Sequence, residues 1–336
     1  MLAYLLASTI SNALRPNRWD PSPEVSEWFY FVSFPLGLAL LGAIPPLLRL
    51  SVRALTITAL FLSGYGLVQF FLLGYHEREL EKRITASLSH VMTFSGMMVA
   101  MSLLLIVLAF RSRERLVILA AGLTSAALLL TFTRGAWIGW AAGLAVLALS
   151  RRPRWLLYLA PVVILAITFS PLPFFARVVS TFDTQQASNL DRIRMIQAGV
   201  AIIADYPIFG VGPTNVREVY PLYRSDDAPR FSVPHLHNNV VQIWAERGVL
   251  ALVAYLMMFI LFIRECLRAI RENPEGRSWA VAGIAVAVAL TTAGIFEYNF
   301  GDNEVLFVTL VGMSMVAKGS RQESVVSSPP ARRGEK

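Results

Sequence analysis

Long apolar runs, separated by short polar connections rich in arginine, recur along most of the chain. Runs of roughly 17–20 such residues cross a hydrocarbon core at a helical rise of about 1.5 Å per residue. They predict helices near 28–45, 54–74, 91–110, 116–132, 135–150, 155–172, 248–264, 279–296 and 304–317. Residues 2–14 are apolar but too short for a full span. Lacking a positive n-region and a small-residue cleavage site, they read as a partial first helix, not a signal peptide. In lipid every backbone polar group must be satisfied within its own segment, so the pattern predicts an all-α, polytopic transmembrane bundle of about nine or ten spans.

Composition agrees. Of 336 residues 55% are hydrophobic and 15% charged, with a mean hydropathy of +0.56. A soluble domain carries about 25% charge. Disordered, collagen-like and secreted disulfide-stapled classes are excluded, and the single cysteine, Cys266, has no partner for an internal disulfide. The net charge of +8 does not point to nucleic acid, because the charge is sided. The connections around Arg49/Arg53, Arg111–Arg115, Arg151–Arg154 and Arg264–Arg277, with the tail after Lys318, hold 17 of the 30 basic residues and 6 of the 22 acidic ones. Alternation through the nine spans places all of these on one side, which the positive-inside rule makes cytoplasmic.

The opposite side carries one long connection, 173–247, flanked by amino-terminal spans (1–172) and carboxy-terminal spans (248–318), with a disordered cytoplasmic tail at 319–336. Ser188-Asn189-Leu190-Asp191 resembles a capping box that opens a helix running to about Ala204, where Asp205-Tyr206-Pro207 stops it. Ile193, Ile196, Val200 and Ile203 share one face, so this amphipathic helix is expected to lie on the membrane or against the bundle.

Ionisable residues are scarce inside the spans, which weakens a coupled-transporter reading. Polar chemistry crowds the outer loop and the outer helix ends instead. The loop holds seven arginines and no lysine. They are either a solvated surface balanced by the loop's acids or guanidinium forks for phosphate, which they grip bidentately. Arg192 and Arg194 lie about 200° apart on a helix, so both cannot serve one site. Arg192 flanks the apolar face and is the better candidate; Arg217 is another in the loop. Pro234-His235-Leu236-His237-Asn238-Asn239 sits just before a membrane helix. Its histidines either cap that helix or act as a base, imidazole being matched to physiological pH. A metal reading needs a third ligand that spacing does not supply. Arg134, in a tight outer turn, either snorkels to headgroups or closes the site, and Arg83, His90, Glu297 and Asp302-Asn303-Glu304 are weighed in the same way. Gly135, Gly139 and Gly143 form a stripe suited to close helix packing.

Thr133-Arg134-Gly135, the Arg192 helix, Asp205-Tyr206-Pro207-Ile208-Phe209-Gly210-Val211-Gly212, His235-Leu236-His237-Asn238-Asn239, Glu246-Arg247-Gly248 and Phe296–Asp302 together resemble the O-antigen ligase family, which includes O-antigen polymerases. The resemblance covers roughly residues 80–317. It implies a GT-C-like glycosyltransferase of the bacterial inner membrane with its site facing the periplasm. Such enzymes move a glycan from undecaprenyl diphosphate to an acceptor hydroxyl, on lipid A–core or another glycan, without metal or other cofactor. Residue by residue, it implies catalytic roles for His237 and Arg192. Arg134, His235, Asn238, Arg217, Arg83 and Glu297 are then candidates for binding substrate. Members carry more spans, so the resemblance also implies missing amino-terminal helices. A polymerase is the nearest alternative; a transporter or a lipid-glycan binding protein is the alternative from another class.

Overall fold

The computed structural model describes residues 1–14, 22–74, 83–151 and 187–321. The helices in it are α1 (Leu2–Ala13), α2 (Ser22–Ala43), α3 (Leu47–Phe71), α4 (Val91–Ser112), α5 (Arg115–Leu129), α6 (Arg134–Arg151), α7 (Ala187–Asp205), α8 (Val216–Tyr223), α9 (Asn239–Glu272), α10 (Arg277–Ala293) and α11 (Asn303–Gly319), with a 3-10 turn at Asn299–Gly301. The expected span 155–172 and the tail from 322 lie outside the described residues. Among the described helices α3, α4 and α9 are long and apolar enough to cross a membrane, and several shorter apolar helices accompany them. The chain is an all-α, multi-pass membrane protein.

The centre of the bundle is α4. Its sequence is apolar on all sides, and a helix of that kind must be buried on all sides. Residues from Val91 to Leu108 are buried almost without interruption, packed by α5, α6, α10 and α11. The glycine stripe on α6 has the packing role expected of it. A Cβ at Gly139 would fall 2.4 Å from the carbonyl oxygen of Ala289, and one at Gly143 would fall 2.9 Å from that of Ala285. The two backbones thus meet where the alanine-rich face of α10 has no bulk to hold them apart.

Helix ends gather in two layers, as the alternation of polar connections requires. At one end Arg111 donates to the carbonyl of Glu275, Arg277 to that of Ser150, and Asn273 to that of Ser320. At the other end Thr93 donates to Asp302 at 2.6 Å, and Asn238 donates to the carbonyl of Ile295 at 2.9 Å.

One sequence expectation changes. The membrane helix expected at 248–264 begins at Asn239. The early turns stay attached because a break at Gly248 (φ 77°, ψ 177°) is filled by another segment. Val211 and Gly212 donate to the carbonyls of Ala245 and Glu246, and Val249 donates to that of Pro207. The turn Pro207–Gly212 thereby satisfies the backbone groups that the kink releases. Any Cβ at 248 would lie 1.9 Å from the carbonyl oxygen of Ile208, so the position requires glycine. On α7 the face expected to lie on the membrane or against the bundle is not the most deeply buried one. The helix's buried face is Met195, Ala198 and Ile202, with Ile193 and Val200 left exposed. Gly199 decides the rotation: a Cβ there would strike Val241 and Leu236, so this side of α7 closes on α9.

Candidate functional site

The second layer of helix ends converges on Glu297, in the turn after α10. His237 Nδ1 lies 2.8 Å from Glu297 Oε2, His235 Nδ1 lies 3.7 Å from Oε1, and Arg192 Nη2 lies 3.9 Å from Oε2. The two imidazole rings are 4.3 Å apart, edge to face. Leu236 between them is fully buried, and its N–H donates to Gln242 Oε1 at 2.7 Å. That anchor inside the protein sends both neighbouring imidazoles to one side. His237 itself has φ 51°, a left-handed backbone that a non-glycine residue adopts only when its surroundings over-determine it.

Electrostatics fix the protonation pattern. Burial alone would raise the pKa of Glu297. The hydrogen bond from His237 and the charges of His237, His235 and Arg192 outweigh it, so the carboxylate stays ionised well below the ordinary carboxylate range. Burial pushes His235 down to about 4, only partly offset by Glu297, so this imidazole is neutral at physiological pH. An ionised carboxylate only accepts hydrogen bonds, hence His237 Nδ1 carries a proton, and in a neutral imidazole the lone pair then falls on Nε2. Burial also lowers His90, the side-chain cap of α4, which senses both Glu297 and His237.

Arg134 opens α6 and reaches the first turn of α7, where its Nη2 donates to Ser188 Oγ at 3.1 Å and Asn189 Oδ1 at 2.8 Å. Arg192 stands about one helical turn further on the same helix. Arg194, on the other side of α7, is paired with Asp227 instead.

Three candidates fall elsewhere. Arg83 is buried and donates to the carbonyl of Thr131 and, at 2.8 Å, to Thr133 Oγ1. It braces the turn in which Phe132 has φ 52°, immediately before Arg134. These bonds hold the turn that positions Arg134. Asn238 caps α9, accepting from Val241 N–H at 3.0 Å while its amide donates to Ile295. Both ends of its side chain are used in structure. Arg217 is exposed on α8, and none of the contacts that build the cluster involves it.

Sequence reasoning missed a second polar centre. Arg247 is buried and pairs with Glu27 and with Glu246 (2.8 Å), while Ser8 and Tyr298 Oη accept from it at 3.1 Å each. Glu246-Arg247-Gly248 and the tyrosine beside Glu297 were visible in the sequence, but Ser8 and Glu27 come from α1 and α2, over 200 residues away. No spacing argument reaches that far.

Side-chain ligand atoms of His235, His237 and Glu297 all lie within 4.8 Å of one another, a set able to hold a cation. The third ligand that spacing could not supply is therefore Glu297. Against a resident metal stands Arg192, whose positive charge sits beside the same carboxylate. What the cluster offers without an ion is a carboxylate-oriented imidazole, open at Nε2, next to a guanidinium.

Residues 118–256 match the family model described as O-antigen ligase. No curated protein matches the chain. The family match supports an assignment at family level. It takes in Arg134, Arg192, His235 and His237 and ends before Glu297.

Proposed function

From its resemblance to the O-antigen ligase family, we propose that the protein is a membrane glycosyltransferase that moves a glycan from a polyprenyl-diphosphate donor to an acceptor hydroxyl at the periplasmic face. The observation that carries this reading is the His237–Glu297 pair beside Arg192. Attack of the acceptor oxygen on the anomeric carbon forms the new glycosidic bond and breaks the bond to the diphosphate oxygen. His237 Nε2 takes the hydroxyl proton, and Glu297 stabilises the imidazolium that results. The departing diphosphate carries the developing negative charge, whose stabilisation is the largest demand on such a site. Arg192 and Arg134, along one end of α7, supply guanidinium forks suited to it. The lipid tail explains a site at the membrane surface under a helix with exposed Ile193 and Val200.

The test is transfer by purified protein in detergent or proteoliposomes, given a lipid-diphosphate glycan and two acceptors in parallel, lipid A–core and a second lipid-linked glycan. Product on the first identifies a ligase, and product on the second a polymerase. An unconsumed donor in both would overturn the proposal in favour of a carrier or binding protein.

A further inference from the structure

Beside His235 lies a cavity of about 420 Å³, bordered by α1, α2, α9 and α11, that His237 does not line. Tyr4, Glu27, Gln242, Glu246, Tyr298 and Asn303 are among the side chains that line it, together with His235. Its volume falls within the usual range for small-ligand sites, and the cavity shares His235 with the catalytic cluster and Tyr298 with the turn that carries Glu297.

We infer that this cavity holds the neutral acceptor sugar. Three features select that chemistry. First, one guanidinium (Arg247) stands against two carboxylates (Glu27 and Glu246), so the cavity repels anions and is the wrong place for a diphosphate. Second, hydrogen-bonding capacity is left over. Each Glu27 oxygen accepts one hydrogen bond, from Arg247 and from Ser8, and keeps another lone pair. Tyr298 Oη accepts from Arg247 and keeps its own O–H to donate. Third, aromatic rings line the same cavity: Tyr4, Phe31 and Phe300, packed against one another, form part of its wall. Polar groups for hydroxyls beside rings for the C–H face of a pyranose make a saccharide subsite. The division of labour follows: cations on the α7 side of the cluster hold the donor diphosphate, and the acidic cavity beside His235 presents the acceptor hydroxyl.

This inference rests on the transferase reading, so its test has a binding arm that needs no catalysis. Purified protein is titrated with glucose, galactose, rhamnose, N-acetylglucosamine and glucuronate under saturation-transfer NMR. At least one neutral sugar should bind and glucuronate should not. Asn303→Phe, which places a ring at the α11 edge of the cavity, should abolish the signal, and Tyr298→Phe should weaken it about tenfold. In the transfer assay both variants should raise the acceptor KM and leave the donor KM unchanged. Neutral sugars that fail to bind, that bind Asn303→Phe as well as wild type, or that bind no better than glucuronate would overturn the inference. A wild type that binds neutral sugar yet transfers no glycan would instead remove the transferase reading and leave the pocket standing.

Discussion

His237 Nδ1 stands 2.8 Å from Glu297 Oε2, although 60 residues separate the two along the chain. One residue stands just before α9 and the other in the turn after α10, and these helices pack side by side. The pair is built by the bundle itself, and it sets the tautomer of the imidazole as well as its direction.

Removing the base without disturbing the backbone is the sharpest check of its role. Asparagine tolerates the left-handed conformation that His237 adopts, so His237→Asn should fold with an unchanged Tm and lose at least about 100-fold in transfer rate. Glu297→Gln keeps the shape but not the charge, and a loss of similar order is expected. Full activity in a stable His237→Asn protein would remove this residue from proton transfer.

Arginine and lysine differ at a bidentate site. Arg192→Lys retains a positive charge yet loses the fork, so the rate should fall about tenfold or more, while Arg194→Lys, on the side paired with Asp227, should be close to neutral. Equal rates for the two variants would show that Arg192 contributes only charge.

Arg83 makes a different prediction from a ligand-binding arginine. Arg83→Met leaves the buried carbonyl of Thr131 with only the long contact from Thr133 Oγ1 at 3.4 Å, at a cost of about 1 kcal/mol. Thermal unfolding should show a lower Tm, and the Arg134 turn should become more susceptible to proteolysis. A variant with unchanged Tm and a raised donor KM would instead return Arg83 to direct binding.

Two groups bend the stability profile in opposite senses. His235 has its folded-state value lowered from 6.5 to about 4, so the native state resists protonating it, and stability is lost as pH falls from 6.5 toward 4. Asp302 is raised from 3.8 to about 7, chiefly by burial, so the native state prefers its protonated form, and stability is lost as pH rises through that interval. Melting curves across this range should show Asp302→Asn losing the alkaline-side decline, and imidazole NMR should show His235 neutral at pH 6. An Asp302→Asn profile parallel to wild type would remove that carboxyl as the cause.

The clustered imidazoles also predict a response to zinc. Chelator alone should leave the transfer rate unchanged, because the role proposed for His237 is that of a base. Added Zn²⁺ should inhibit reversibly, because His235, His237 and Glu297 form a ready set of ligands. A rate that falls with chelator and recovers with metal would reverse the assignment and make the cluster a catalytic metal centre.

Hydropathy made the bundle legible because lipid imposes so strong a rule on backbone hydrogen bonds. Apolar helices appear at Val91–Ser112, Arg115–Leu129 and Arg277–Ala293, close to the runs that predict them. Helical geometry separated Arg192 from Arg194, and the structure sends them to different partners, Glu297 and Asp227. The rotation of α7 was not legible, because its two faces are both apolar enough to bury. Only the fit of Gly199 against Val241 and Leu236 chose between them.

The sequence by itself determined that the protein is helical and membrane-spanning, and where its polar chemistry gathers, since these follow from local composition and the properties of each segment in lipid. Which of those polar residues meet was decided by tertiary structure alone. Glu297 beneath two histidines, Arg83 inside a turn, and Arg247 between carboxylates from α2 and α9 all depend on helix ends brought together by packing. The physical reason is that a charged group's role is set by its burial and its neighbours, and neither is a property of its own stretch of chain.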